Sequence, residues 1–130
     1  MGTRSLTVIE KDGEEICTIY RQYDGYESAH GKDLKSFLKN KSILNGLPIG
    51  KEISGFNGME DLAACLIWKL KDKLGEGDNK NGSIYLLSPK ERGWGEQYIY
   101  IISEVSGKIF IKTETYFGDI NNYEPCKTQE

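Results

Sequence analysis

The stretch Gly58–Leu74, GMEDLAACLIWKLKDKL, decides the architecture of this chain. Its apolar residues recur at the i, i+3, i+4 and i+7 spacing of one buried stripe on an α-helix. They are Met59, Leu62, Ala63, Leu66, Ile67, Leu70 and Leu74. Acidic residues stand in the first turn, lysines stand near the last, and Gly75 follows, which is the order that the helix dipole and a glycine C-cap favour. The pattern predicts one long amphipathic helix.

Strand patterns flank this helix on both sides. Ser5–Glu10 and Glu15–Tyr20 are rich in β-branched residues, and an Asp-Gly pair between them suits a hairpin turn. A short helix is predicted over Lys32–Leu38, where three apolar side chains share one face. Three further strands are predicted after the long helix: Ser83–Ser88, Gln97–Val105 and Lys108–Phe117. A Ser-Gly pair joins the last two.

This element order predicts an α+β fold. We expect an antiparallel sheet, made of the N-terminal hairpin plus a three-strand C-terminal meander, with the two helices packed on one face. We assign residues 1–117 to a single α+β ligand-binding domain. Residues 118–130 turn polar and are expected to form a flexible C-terminal tail.

The strand Gln97–Val105 alternates two kinds of apolar side chain. Tyr98 and Tyr100 fall on one face, and Ile99 and Ile101 fall on the other, because successive side chains of a strand point to opposite faces. We expect the aliphatic face to meet the helices. The tyrosine face is then left for a partner subunit or a ligand.

Length and charge exclude several function classes. A chain of 130 residues fits one domain, and its net charge of -3 argues against broad binding to long nucleic acid. No apolar run approaches the about 20 residues that a membrane span needs, and no signal peptide is recognisable. Three cysteines without metal-like spacing fit a reducing compartment. We therefore expect a cytoplasmic protein with no membrane partner, no cofactor and no metal.

Catalysis has weak support in this sequence. The one histidine, His30, is the only side chain that ordinarily titrates near neutral pH, and a nucleophile needs such a base within hydrogen-bond reach. Ser28 and Asp24 stand nearby, but proximity on a loop does not establish the geometry of a triad. A hydrogen-bonding role for His30 near the start of the first helix is the favoured alternative. The sequence therefore predicts a protein that is not an enzyme.

Binding chemistry is better supported at two of the three arginines. Arg92 precedes Trp94 in the motif RGWG. Arginine can hold a phosphate through two parallel hydrogen bonds, and an aromatic ring can stack on a base. The glycines on both sides of Trp94 suit a loop that closes over a ligand. Trp68, by contrast, is expected in the core or at an interface, because it falls beside the apolar stripe of the long helix.

The second arginine stands in the motif YRQYDGY, residues 20–26. Arg21 and Tyr23 supply the same pairing of a cation with an aromatic ring. A structural alternative is equally favoured, in which Tyr23 and Tyr26 pack the loop onto the sheet and Arg21 pairs with Asp24. Both interpretations are kept open.

A third candidate lies directly before the long helix. Phe56 occupies the position of a hydrophobic staple, and Asn57 occupies that of an N-cap. The amides at a helix N-terminus can also bind phosphate, although the structural role is favoured here. The candidate ligand-binding residues are therefore Arg21, Tyr23, Phe56, Asn57, Arg92 and Trp94.

Several motifs together resemble one family. They are GTRSLT at 2–7, YRQYDGY at 20–26 with His30-Gly31 after it, NGM at 57–59, and GSIYL at 82–86 followed by GEQYIY at 95–100. As a set, over residues 2–117, they resemble the small phage proteins of the Thoeris anti-defence type, the first-described signal sponges.

The resemblance implies a function that composition alone does not indicate. Such proteins bind and sequester, without cleaving, the cyclic ADP-ribose isomer made by a bacterial TIR-domain immune protein. They form dimers that assemble further, to hexamers, with the ligand held between protomers, and members also bind cyclic oligonucleotides in a second pocket. The implied location is the cytoplasm of an infected bacterial host.

Two other functions are kept as alternatives. One is a hydrolase of a cyclic nucleotide signal that uses a carboxylate and His30. The other is a protein-binding inhibitor that blocks a host defence protein through the tyrosine face of the sheet.

Overall fold

The computed structural model describes residues 2–44, 54–74 and 83–125. Within them the chain forms an eight-stranded mixed sheet and two α-helices. The strands are β1 Ser5–Lys11, β2 Glu14–Arg21, β3 Ser42–Leu44, β4 Gly55–Asn57, β5 Ile84–Leu87, β6 Tyr98–Val105, β7 Lys108–Lys112 and β8 Phe117–Asp119. The helices are α1 Lys32–Leu38 and α2 Met59–Leu74. A π-helical turn, Glu27–Gly31, precedes α1, and a 3-10 turn, Ile120–Asn122, follows β8.

Both predicted helices are confirmed. α1 has the predicted bounds, and α2 begins one residue after the predicted Gly58 and ends at Leu74. The stripe of α2 is buried at Met59, Leu62, Ala63, Leu66 and Leu70. The N-terminus of α2 is capped by a side chain of its first turn. The Asp61 carboxylate accepts a hydrogen bond of 2.9 Å from the backbone N–H of Asn57. The predicted C-cap at Gly75 and the turn over residues 76–82 lie outside the described residues.

Both predicted hairpins are also confirmed. The β1–β2 turn has Asp12 at φ 53° and Gly13 at φ 83°, and the β6–β7 turn has Ser106 at φ 53° and Gly107 at φ 82°. Two successive residues with positive φ match the right-handed twist of the flanking strands, which is why Asp-Gly and Ser-Gly pairs favour this turn.

The predicted antiparallel sheet and three-strand meander are wrong. The strand order is β4-β3-β7-β6-β1-β2-β5, with β8 also on β7. β1 pairs parallel to β6, with Leu6 opposite Ile99, and β5 pairs with β2 rather than with β6. The cause is the connection between β5 and β6, which crosses the sheet and leaves these two strands on opposite sides of the β1–β2 hairpin.

The predicted strand Lys108–Phe117 is two antiparallel strands, β7 and β8. A turn separates them, in which the Thr113 N–H donates to the carbonyl of Tyr116 at 2.8 Å and the Thr115 N–H donates to Thr113 Oγ1 at 3.0 Å. Threonine hydroxyls favour such turns because they offer the backbone an acceptor outside the strand ladder. β3 and β4 were not predicted, because three residues are too few to show a period.

The two faces of the sheet differ in what covers them. The helix face carries Ile9, Ile19 and Ile111, which form one core cluster with the apolar side chains of both helices. The open face carries the alternate residues, among them Leu6 and Tyr20. No helix among the described residues is long and apolar enough to cross a membrane.

The expected orientation of β6 is reversed. Tyr100 is fully buried in the core cluster with Tyr98 packed beside it, while Ile99 and Ile101 lie on the open face. A phenol can be buried here because the Tyr100 hydroxyl donates a hydrogen bond of 2.6 Å to the carbonyl of Gly25.

The fold continues past residue 117. Ile120 and Tyr123 are fully buried, and the Tyr123 hydroxyl donates to the Glu27 carboxylate at 2.7 Å. The described part of the expected tail, residues 118–125, therefore contributes to the core; residues 126–130 lie outside the described residues.

Candidate functional site

The six predicted site residues lie in three separate places. Arg21 and Tyr23 are at the end of β2, Phe56 and Asn57 are in β4, and Arg92 and Trp94 are in the segment 88–97. Four strands stand between β4 and β2 in the sheet order. Within one chain the structure therefore brings each pair together but does not bring the three pairs to one site.

Arg21 is buried on the helix face, with 3 % of its surface exposed. Its Nε donates to the carbonyl of Tyr23 at 2.7 Å, and its Nη1 donates to Asp33 Oδ2 at 2.8 Å and to His30 Nδ1 at 3.0 Å. The ion-pair partner is thus Asp33 and not Asp24, the partner in the structural alternative. The contacts of this guanidinium are made within the chain, as a structural role requires.

His30 is fully buried beside Arg21. Because its Nδ1 accepts from the guanidinium, the ring carries its hydrogen on Nε2, which donates to Thr7 Oγ1 at 2.6 Å. Burial, and then the charge of Arg21, hold the pKa of His30 well below its usual range. The hydrogen-bonding partners of His30 do not include Ser28 or Asp24. The triad alternative therefore gains no support from this geometry.

Glu27 is a second buried charged group on the same side of the sheet. Its carboxylate accepts hydrogen bonds from the hydroxyls of Tyr123 at 2.7 Å, Thr115 at 3.0 Å and Thr113 at 3.3 Å. Hydroxyl donors can solvate a carboxylate in place of water, so this buried charge has the partners that it needs. No local pattern indicated this cluster, because Glu27 precedes its three donors by more than 80 residues.

Phe56 and Asn57 serve the packing of β4 and α2. Phe56 is buried, with its ring centroid 5.7 Å from that of Phe37. The backbone N–H of Asn57 is occupied by the Asp61 carboxylate. Since a carboxylate of the chain already lies at this helix start, the geometry favours the structural interpretation of the segment.

The segment 88–97, here called the strap, crosses the open face from β5 to β6. Its Trp94 ring lies 5.4 Å from the Tyr20 ring, which lies 5.7 Å from the Tyr85 ring. Tyr20 is buried between them, whereas Trp94 is 43 % exposed and Tyr85 is 46 % exposed. Gly93 and Gly95 have φ of 85° and 80°, a region that glycine adopts without strain. The result is a row of three rings whose two outer members face solvent.

Carboxylates hold the strap in place. Glu15 accepts from the backbone N–H of Lys90 at 2.8 Å and from Arg92 Nη2 at 3.0 Å, and Glu96 accepts from the backbone N–H of Trp94 at 2.8 Å. Glu15 reaches the strap because the register shifts between Ile9 and Glu10, and this bulge turns it onto the open face.

Arg4 lies under the strap and was missed as a site residue. A Cβ added to Gly95 would stand 2.7 Å from Arg4 Nη1, and the Arg4 carbonyl accepts from the backbone N–H of Gln97 at 2.8 Å. Arg4 Nε is buried and has no hydrogen-bond partner among the residues that the structure describes. The available signal was its alternation with Leu6, which puts both side chains on the open face, although no aromatic residue adjoins Arg4 in the chain.

Other large apolar side chains are exposed away from the three-ring row, among them Trp68 and Phe117. Trp68 is 64 % exposed on the outer side of α2, so its expected place in the core is wrong and an interface is the alternative that is left. Phe117 is 66 % exposed on the open face, with its ring 6.0 Å from Phe110. On the same face as Phe117, a groove of about 460 Å³ has Ile99 and Ile101 in its lining.

The three-ring row, the strap and Arg4 form the candidate ligand site of this chain. Across residues 2–44, 54–74 and 83–125, no cluster of three His, Cys, Asp or Glu side chains could hold a metal ion. Comparisons of the chain with protein-family models, with curated proteins and with solved structures find no match.

Proposed function

We propose that the protein binds and sequesters, without cleaving, a cyclic ADP-ribose-type immune signal made by a bacterial TIR-domain protein, and that it acts as a phage anti-defence protein. The motif set that resembles the Thoeris signal sponges suggests the ligand. Cyclic oligonucleotides are proposed as a second ligand class. The proposed location is the cytoplasm of the infected host, where such signals are made.

The observation that carries the proposal is the three-ring row beside the cations of the open face. A nucleotide presents an aromatic base and phosphate oxygens, and Trp94 and Tyr85 each offer an exposed aromatic ring. Arg4 lies beneath the strap that carries Trp94. Stacking of a base on an aromatic side chain contributes about 1–3 kcal/mol. Binding of this kind needs no nucleophile, which agrees with the burial of His30.

Sequestration requires high affinity, because a signal is silenced only when little of it stays free. A dissociation constant on the order of nanomolar corresponds to about -12 kcal/mol. The rings of Trp94 and Tyr85 face solvent in the single chain, so one chain encloses only part of a nucleotide. We propose that a second copy covers the rest, in a homo-oligomer that is a dimer or a hexamer built from dimers. Phe117 offers exposed apolar surface for such contacts.

The experiment is thermal melting with a panel of cyclic ADP-ribose isomers and cyclic oligonucleotides. A tight ligand raises the melting temperature because it binds only the folded state. The protein is then denatured by heat, and the released ligand is identified by chromatography. Recovery of intact ligand is expected. Recovery of a hydrolysed product would instead make the protein a hydrolase, and no shift with any nucleotide would reject the sponge.

Two tryptophans provide a matched pair for this experiment. Trp94→Ala removes an outer ring of the three-ring row, whereas Trp68→Ala removes a more exposed indole from the outer side of α2. We expect only the first variant to reduce the ligand-induced shift. Equal shifts in both variants would place the ligand away from the strap.

A second candidate function is inhibition of a host defence protein by direct binding. The exposed Phe117, with Phe110 and the groove beside them, favours this candidate, because contiguous apolar surface commonly marks a protein interface. It predicts no nucleotide-induced shift and loss of inhibition in Phe117→Ser. Retention of the nucleotide shift in that variant, with anti-defence activity unchanged, would exclude it.

A further inference from the structure

We propose that Arg4, rather than Arg21 or Arg92, is the guanidinium that receives the phosphate of the bound nucleotide. This inference rests on the proposed function, and it names a residue of the same site. It is carried by a comparison of the three arginines of the chain, by the buried Arg4 Nε and by the position of Gly95.

The charges of the other two arginines are already neutralised. Arg21 Nη1 lies 2.8 Å from Asp33 Oδ2, and Arg92 Nη2 lies 3.0 Å from Glu15 Oε2. Arg4 has no such ion pair within the described ranges 2–44, 54–74 and 83–125. An anion that bound at Arg21 or Arg92 would have to displace a carboxylate, whereas an anion at Arg4 would displace no carboxylate of the described residues.

Among the described residues, the Nε of Arg4 also lacks a hydrogen-bond acceptor. It is buried without a partner in this part of the chain, and a charged donor that has lost its water is costly to leave unpaired. The planar fork of a guanidinium presents Nε and one Nη to two oxygens of the same phosphate. A phosphate oxygen would supply the acceptor that the described residues do not.

Because Gly95 has no side chain, it leaves space next to the Arg4 guanidinium. A Cβ at position 95 would stand 2.7 Å from Arg4 Nη1 and 3.4 Å from its Cδ, so a side chain there would press on the head group. The neighbouring residue Trp94 carries the exposed indole that packs on Tyr20. A phosphate at Arg4 therefore lies beside the three-ring row, where one nucleotide can meet both a ring and the guanidinium.

The planar arrangement of the guanidinium N–H donors determines which chemical group of the ligand can bind to Arg4. Two parallel hydrogen bonds need a planar or tetrahedral oxyanion, and in a nucleotide this is the phosphodiester or pyrophosphate link. Lysine offers a point charge without the fork, so Arg4→Lys is expected to recover only part of the affinity.

The test uses titration calorimetry to measure the affinity for the cyclic nucleotide that raises the melting temperature most. It is carried out on four full-length proteins. They are the wild type, Arg4→Gln, Arg4→Lys and the control Lys69→Gln, which removes one positive charge from the exposed side of α2, away from the strap. We expect Arg4→Gln to weaken binding about 10- to 100-fold, Arg4→Lys to fall between it and the wild type, and Lys69→Gln to change binding less than about fivefold. Wild-type affinity in Arg4→Gln would overturn the inference and leave the proposed function intact.

A second readout separates the inference from the proposed function. Inorganic pyrophosphate is titrated into the wild type while the Nε–H resonance of Arg4 is followed by NMR. If no cyclic nucleotide binds but pyrophosphate shifts this resonance, the proposed function fails and the phosphate site at Arg4 stands. If neither binds, both fail. The same resonance decides the question if Arg4→Gln does not fold.

Discussion

The surroundings of Arg21 and Arg4 form a direct comparison. The two residues stand at the same end of the β1–β2 hairpin, since Ser5 pairs with Arg21 and Arg4 directly precedes Ser5. Arg21 points to the helix face and donates to a carbonyl, an imidazole and a carboxylate. Arg4 lies on the open face under the strap, and within the described ranges its Nε has no acceptor.

The difference teaches that the acceptors around an arginine, and not its neighbours in sequence, decide its role. Arg21 adjoins two tyrosines in the chain and yet serves the core. Arg4 adjoins no aromatic residue in the chain and yet lies beside a row of three rings. The predictions that follow test whether the helix-face network is structural and whether the strap is dispensable for folding.

The largest loss of unfolding free energy is expected for Arg21→Met. The variant removes the guanidinium that pairs with the Asp33 carboxylate and donates to the His30 ring, and breaking a buried ion pair in this way costs about 3–5 kcal/mol of unfolding free energy. Urea unfolding measures the loss. The control is Arg92→Gln, whose exposed ion pair is worth less than about 1 kcal/mol. Equal losses would show that Arg21 is not part of a structural network.

A smaller loss of unfolding free energy is expected for Tyr123→Phe. The Glu27 carboxylate loses one of its hydroxyl donors, and a hydrogen bond to a charged group contributes about 1.5–3 kcal/mol. Tyr23→Phe, at an exposed tyrosine, should change the unfolding free energy by less than about 0.5 kcal/mol. If the two variants unfold at the same urea concentration, the segment after β8 does not contribute to the core as described.

The third effect is a loss of stability in mild acid. The folded state keeps His30 neutral because its pKa is lowered, whereas the unfolded chain takes up a proton below about pH 6.5. The unfolded state therefore binds more protons, and stability falls as pH drops. Between about pH 7.5 and about pH 5.5 the expected loss is about 1.4 kcal/mol.

His30→Gln is the control for this pH dependence, because it retains every other titratable group. The unfolding free energies of both proteins are compared across the same pH range. The wild type should lose more stability than the variant. Parallel pH profiles would mean that the pKa of His30 is the same in the folded and unfolded states.

The smallest effect on stability is expected for Trp94→Ala. The indole is nearly half exposed and the strap is tied to the sheet by Glu15 independently of this ring, so the unfolding free energy should fall by less than about 1 kcal/mol. Urea unfolding without ligand checks this. A loss as large as that of Arg21→Met would make the strap part of the core rather than a binding element.

Local patterns predicted the local elements. The stripe of α2 and the Asp-Gly and Ser-Gly turns are encoded within a few residues, so their helix and hairpins follow from spacing alone. The parallel pairing of β1 with β6 has no local signal, because any apolar strand could occupy that place. The prediction of which side of the sheet Tyr100 faces was also wrong. The acceptor that allows its hydroxyl to be buried, the Gly25 carbonyl, is distant in sequence.

The candidate site was predicted only in part. The RGWG motif predicted that Trp94 lies on a glycine-flanked loop that closes over a ligand; the structure has the glycines at positive φ and the ring 43 % exposed, and the ligand role stays a prediction. It could not reveal that Tyr20 and Tyr85 extend that ring into a row, or that Glu15 neutralises Arg92. Those contacts depend on the strap crossing the sheet and on the bulge in β2, and neither has a recognisable sequence signature.

The parallel pairing of β1 and β6 has a consequence for how the chain folds. Leu6 lies opposite Ile99, so the second edge of β1 finds its partner more than 90 residues later. Contacts of such long sequence separation slow folding, because the intervening chain must be ordered before they form. During synthesis the β1–β2 hairpin emerges first, with an unpaired strand edge that can associate with other nascent chains. We therefore expect a delay in the pairing of β6 with β1 to change the folding rate more than the free energy of unfolding.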